Sequence, residues 1–240
     1  PAFVRRVEKE LGWEFIQVYG MTESSPLSLI SVVRSELKEL PTEEQYRIKS
    51  KAGVSMIGCE VKVVTDHGEE VEHNGKEIGE VITRSNGVMA GYWKNEVATM
   101  ETIKNGWLHT GDMATVDEYG HIDIVDRKKD VIISGGENIS SIEVEGVLYE
   151  RPDVVEAAVI AVPHEKWGET PHAFIVLKEG SNVTEKELIA FSREKLAHFK
   201  AITAATFVSE LPKTASGKIQ KVVLRNDYWE EVGKGGKFVN

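Results

Sequence analysis

Asp126-Arg-Lys-Lys-Asp-Val-Ile-Ile-Ser-Gly-Gly-Glu-Asn138 divides this chain of 240 residues into two textures. Its first five residues are charged and follow no hydrophobic period, as a connector does. Gly135-Gly136 then lets the backbone come close to a neighbour, and Ser140-x-x-Glu143 is a capping-box pattern that opens a helix. Upstream, short apolar runs alternate with turn residues. Residues 60–65, 77–84, 107–116 and 121–125 read as strands, with Gly68, Gly75, Gly87 and Gly120 at the turns, which predicts a small antiparallel sheet or barrel. Downstream, helices over 141–150 and 185–198 (the second opened by Thr184-x-x-Glu187) alternate with strands over 154–162, 172–178 and 205–209. The predicted fold class is α+β, with domains 1–126 and 127–240, the second a compact α+β unit.

The upstream domain opens with a helix over residues 1–11, where Val4, Val7 and Leu11 share a face and Gly12 closes the turn. Residues 13–19 read as a buried strand leading into a polar loop, Gly20-Met-Thr-Glu23, and residues 42–51 as a polar helix. The chain begins at Pro1 rather than Met, which reads as a start in mid-fold.

Composition excludes several classes. A net charge of −10 argues against nucleic-acid binding. No window has the apolar length of a membrane span, and the first ten residues read as an amphipathic helix rather than a signal peptide. Cys59 is the single cysteine, so no internal disulfide forms, and a reducing, cytoplasmic setting is expected. The glycosylation patterns at Asn138 and Asn182 then read as chance matches.

Against this acidic background, residues 211–226 hold Lys213, Lys218, Lys221 and Arg225 and no acid. Such a run reads either as a solvated tail or as a loop that meets an anion. A phosphate-binding P-loop fails on spacing, since Pro212 and Ile219 stand where Gly and Ser or Thr are needed. Tyr19-Gly-Met-Thr-Glu23 offers an aromatic for a flat base and a hydroxyl and carboxylate for phosphate and its metal; the alternative is a plain strand exit. In Gly106-Trp-Leu-His-Thr-Gly-Asp112, the carboxylate behind a glycine turn suits two adjacent ribose hydroxyls, or is an ordinary turn Asp. Arg127 offers a fork for hydroxyls or phosphate. His164 and His172 lie eight apart and do not form a zinc helix motif.

Taken in order, Tyr19-Gly-Met-Thr-Glu23, Gly91-Tyr92-Trp93, Gly106-Trp-x-x-Thr-Gly-Asp112, Asp126-Arg127, Gly135-Gly136 and Pro212-Lys-x-x-x-Gly-Lys218 resemble the adenylate-forming superfamily, over nearly the whole chain. Val131-Ile-Ile-Ser-Gly-Gly-Glu-Asn-Ile-Ser-Ser-Ile-Glu143 looks most like the acyl-CoA synthetases within it. The resemblance implies ATP-dependent activation of a carboxylic acid, a fatty acid foremost, to an acyl-adenylate and then to its CoA thioester. It implies that Tyr19 packs on adenine, that Gly20, Met21 and Thr22 line the junction of nucleotide and acyl group, that Thr22 contacts phosphate and that Glu23 holds Mg2+. Asp112, aided by Arg127, would bind the ribose, Lys218 would bridge carboxylate and phosphate, Lys129 would be a hinge, and Gly135 and Gly136 would line the path of CoA. His109 stands where such proteins vary and receives no role. The family's upstream phosphate loop is absent, so the chain is expected to be the C-terminal part of a ligase whose N-terminal part is missing, with an oligomer compatible. Loading of a carrier protein, or a non-catalytic module on the same scaffold, are the alternatives.

Overall fold

The computed structural model describes residues 1–215 and 217–233, with side chains through residue 230. Ser216, inside the predicted cationic run, and residues 234–240, at the end of the predicted second domain, lie outside the described residues. The chain divides into two compact units, Pro1–Lys128 and Lys129–Asn240, and each mixes helix with sheet.

In the first unit, α1 (Ala2–Leu11) is closed by Gly12 in the left-handed region, φ 67°. Val4 is buried, but Leu11 is exposed, so the predicted apolar face is only partly covered. The predicted buried strand over 13–19 contracts to β1 (Gln17–Tyr19). Trp13, Ile16 and Val18 are exposed. The run is apolar on both faces, and the described residues cover only the face of Gln17 and Tyr19. Next come β2 (Leu29–Ser31), α2 (Thr42–Ser50) and β3 (Val54–Ser55). β1, β2 and β3 form an antiparallel sheet of three strands.

The rest of the unit is β4 (Cys59–Val64), β5 (Gly79–Ser85), α3 (Glu96–Thr102), β6 (Ile103–Lys104), β7 (Trp107–Val116) and β8 (Ile122–Arg127). β7 is its spine: β5 runs along one edge, while β6 pairs with its start and β8 with its end. Register shifts at Glu80/Ile82 and Met113/Ala114 bend this sheet into the curled half-barrel that the strand spacing predicts. Leu29, Val63, Val81, Ala114, Val116 and Ile122 fill its core.

The second unit runs β9 (Ile132–Ser134), β10 (Glu137–Ile139), α4 (Ser141–Leu148), β11 (Val154–His164), β12 (Gly168–Leu177), α5 (Glu185–Lys195), β13 (Ala204–Phe207) and α6 (Lys221–Gly233). The long antiparallel pair β11–β12 is flanked by β9 and by β13, which lies parallel to β12. β11 is covered on both faces, which explains its unbroken apolar run. Ala157 and Val159 pack with Val144 and Leu148 of α4 and Leu188 of α5. Ala158, Ile160 and Val162 pack with Leu211 and with Leu224 of α6. Each such aliphatic side chain contributes about 1.5–3 kcal/mol on burial. Both helix starts follow the capping signals: the Thr184 hydroxyl accepts from the Glu187 N–H, whose carboxylate returns to the cap, and the Ser140 hydroxyl accepts from the Glu143 N–H. α6 begins at Lys221, where the sequence predicts a loop or tail rather than a helix.

Candidate active site

Burial along β7 alternates without interruption, so the register that points Leu108, Ala114 and Val116 inward points Asp112 inward too. A carboxylate only 6% exposed needs partners. Tyr19, the last residue of β1, donates its hydroxyl to Asp112 Oδ2 at 2.6 Å. Arg127, directly opposite in the β7–β8 register, places Nε 2.7 Å from Oδ1. Burial, with the Asp112 charge beside it, pushes the Tyr19 phenol well above its ordinary value, so it stays a donor. Three residues far apart in sequence thus form one cluster.

Gly20 follows Tyr19 because nothing larger fits: a Cβ there would lie 1.8 Å from the Pro26 carbonyl oxygen. Met21 then leads into a single 3-10 turn, Thr22–Ser24, on which Thr22 is exposed and Glu23 half-buried. An open cleft of about 430 Å3 is lined by Met21, Glu23, Tyr92, His109, Arg127 and Lys128, among others. Tyr92 donates its hydroxyl to Glu23 Oε1 at 3.0 Å. Among the described residues no group of three or more His, Cys, Asp or Glu could hold a metal. An ion at Glu23 would draw its remaining ligands from water and phosphate, a donor set that fits Mg2+.

In the second unit, Gly135 and Gly136 form the turn between β9 and β10, at φ 61° and 90°. A Cβ on Gly135 would meet the Trp167 ring at 2.9 Å. Lys129 is exposed at the first position of the unit. Of the two readings of the cationic run the structure takes the loop, and the run is less cationic than its sequence. It is not a tail: Lys213 bridges Ile219, and the Gln220 N–H reaches the Pro212 carbonyl at 2.8 Å, closing a hairpin anchored by buried Leu211. Nor is it uniformly cationic, because Lys213 pairs with Glu156, Lys221 with Glu145 at 2.6 Å, and Arg225 with Asp130. Among the described residues of this unit, exposed Lys218 is the member of the run left without an ion pair, and its N–H is held by the Thr214 hydroxyl at 3.1 Å.

The sequence reading gave no role to two further groups. Tyr92 lies in a quoted motif, yet its bond to Glu23 joins residues 69 apart. Glu80 accepts from the Gly111 N–H at 3.1 Å, lies 3.1 Å from His109 Nδ1 and 3.4 Å from Lys128 Nζ, and so ties the start of the Asp112 segment to the end of β8. Burial raises its carboxyl, but the hydrogen bond with His109 and the charge of Lys128 outweigh this and hold it below the usual range.

Residues 1–93 match the AMP-binding enzyme family, and residues 143–218 match the AMP-binding enzyme C-terminal domain. The chain is 44% identical over 236 residues to "Probable acyl-activating enzyme 22" of Arabidopsis thaliana, covering 93% of this chain and 44% of that protein. It is 42% identical over 219 residues to the peroxisomal trans-cinnamate:CoA ligase of Petunia hybrida, covering 90% of this chain and 38% of the ligase. The structure of o-succinylbenzoate CoA synthetase from Bacillus subtilis, in complex with its acyl-adenylate intermediate, superposes with a TM-score of 0.80 at 34% identity, over 93% of this chain and 43% of that one. The chain therefore spans less than half the length of these relatives. With both domain patterns present in order, it belongs to the adenylate-forming superfamily of AMP-binding enzymes.

Proposed function

We propose that this chain is the C-terminal portion of an AMP-forming acid–CoA ligase. The observation that carries the reading is the Tyr19–Asp112–Arg127 cluster. One donor on each oxygen of Asp112 fixes the carboxylate and leaves lone pairs to accept from two adjacent hydroxyls, as a ribose presents. Tyr19 would pack on the base, with Gly20, Met21 and Thr22 along the phosphate and acyl junction. Glu23 would hold Mg2+, which supplies charge neutralisation for the departing pyrophosphate.

In the first half-reaction a carboxylate oxygen of the acid attacks the α-phosphorus of ATP, and the bond to pyrophosphate breaks. Lys218, without an ion pair among the described residues of its unit, would neutralise the charge that builds there. In the second, the CoA sulfur attacks the acyl carbon, AMP leaves and the thiol proton is lost. The Gly135-Gly136 turn, bare of side chains, would line the path of the pantetheine arm, and Lys129, at the division between the units, would be the hinge. The acid is an apolar carboxylic acid. A fatty acid is the sequence-based expectation, and the trans-cinnamate ligase among the relatives adds aromatic acids to the class. Among the described residues no helix is long and apolar enough to cross a membrane. Tagging the full-length enzyme separates the expected cytoplasmic setting from the peroxisomal one in that relative's name.

The test uses the full-length enzyme. Acid-dependent ATP–pyrophosphate exchange is expected across a panel of aliphatic and aromatic acids, with product formed on CoA; product on a carrier protein instead would favour the alternative loading role. Lys218→Ala should slow adenylate formation about 10²–10³-fold, the loss typical of one preorganised donor, and leave thioester formation from supplied acyl-adenylate intact. An equal fall in both half-reactions would overturn the role of Lys218. This chain expressed alone should show no exchange.

A further inference from the structure

Tyr92 is held more firmly than its packing requires. It is 36% exposed and joins no core cluster. Yet its backbone N–H is held by the Thr99 hydroxyl at 2.9 Å, and that hydroxyl donates to the Asn95 carbonyl at 2.8 Å. Gly91, just before it, sits where a Cβ would meet the Thr99 methyl at 2.8 Å, so the turn closes tightly on α3. The ring reaches from this turn to Glu23, donating its hydroxyl to Oε1 at 3.0 Å.

We infer that Tyr92 is a positioning residue for the divalent cation: by occupying one oxygen of Glu23, it fixes that carboxylate as a ligand for the metal that accompanies the nucleotide. The inference rests on the ligase reading for the identity of the metal complex. A lone carboxylate on a short turn samples several rotamers, and a ligand that must be ordered on binding binds more weakly. The Tyr92 hydroxyl removes that cost, and the α3 turn in turn fixes Tyr92.

The experiment measures metal binding directly, in the full-length enzyme, with Mn2+ as the probe and a non-hydrolysable ATP analogue present, by electron paramagnetic resonance. Tyr92→Phe should raise the Mn2+ dissociation constant about tenfold, the low end for losing an outer partner of a metal ligand. The metal-free melting temperature should stay at the wild-type value. The Mg2+ concentration for half-maximal adenylate formation should rise in parallel, with turnover recovered at saturating Mg2+. Mn2+ affinity unchanged from wild type would overturn the inference. Should Tyr92→Phe also lower the metal-free melting temperature, the Glu23→Gln background decides: a Tyr92 that acts through Glu23 adds no further loss there, whereas an additive loss would overturn the proposal. A wild-type enzyme that binds Mn2+ and nucleotide but makes no acyl-adenylate would overturn the ligase reading alone.

Discussion

Asp112 shows how one side chain joins fold to chemistry. The alternation of β7 forces it inward, its burial demands donors, and under the proposed function those donors would orient it for a further pair of hydroxyls. Replacing it by Asn keeps the shape and an acceptor for Tyr19 but removes the charge that meets Arg127. Asp112→Asn in the full-length enzyme should weaken ATP binding about 10–100-fold, the equivalent of one charge-assisted hydrogen bond. Equilibrium binding of ATP checks this, and 2′-deoxy-ATP should show a smaller difference between wild type and variant, since one of the two hydroxyls is already gone. The motif around Asp112 was legible in the sequence because its glycine and carboxylate are adjacent. Its partnership with Tyr19 was not, because 93 residues separate them.

Among the elements, the strands and capped helices were readable wherever the signal was local. Thr184 and Glu187 form the box that their spacing predicts, and β11 fills the run of apolar residues. Two readings needed tertiary information. The strand over 13–19 shrank because hydrophobicity does not say which face will be covered. The cationic run lost three of its four charges to Glu156, Glu145 and Asp130, acids far along the chain that no local pattern links to it. Another property of β12 could not be read at all. His172 is 5% exposed, in tilted ring contact with Phe174 and with Tyr228 of α6, and 2.9 Å from the Thr206 hydroxyl. Burial pushes its imidazole down to about 4, against weak opposition from Glu185. A folded value below the unfolded 6.5 means the unfolded chain takes up the proton first. The stability that neutral His172 supports is therefore complete above that pH and is lost progressively as pH falls towards 4. Denaturant titrations of residues 129–240 across this window should show the midpoint declining, and His172→Gln should flatten the decline. An identical slope in the variant would assign the acid sensitivity elsewhere.

At the scale of the whole molecule, the two units differ in how complete each is. The second has apolar clusters on both sides of β11. The first carries an open apolar groove of about 470 Å3 lined by Phe3, Val7, Leu11, Trp13 and Phe15, beside exposed Ile16 and Val18. A contiguous apolar patch of that kind marks a surface that something covers, and the chain spans less than half of its relatives. We expect residues 129–240, expressed alone, to unfold in one cooperative transition, and residues 1–128 alone to self-associate. Thermal melts and light scattering check the two halves of this expectation. Self-association should fall when Trp13 and Phe3 are made polar.

β11 acts as a partition between two interiors that, among the described residues, share no side chains. Val159 and Ile160 are neighbours in sequence, yet a cavity made at one opens beneath α4 and α5, while a cavity made at the other opens beneath the hairpin that carries Lys218. Drift in the volume of the first compartment can thus proceed without loosening the mount of the lysine, and selection on the lysine's placement should act on only every second residue of one strand.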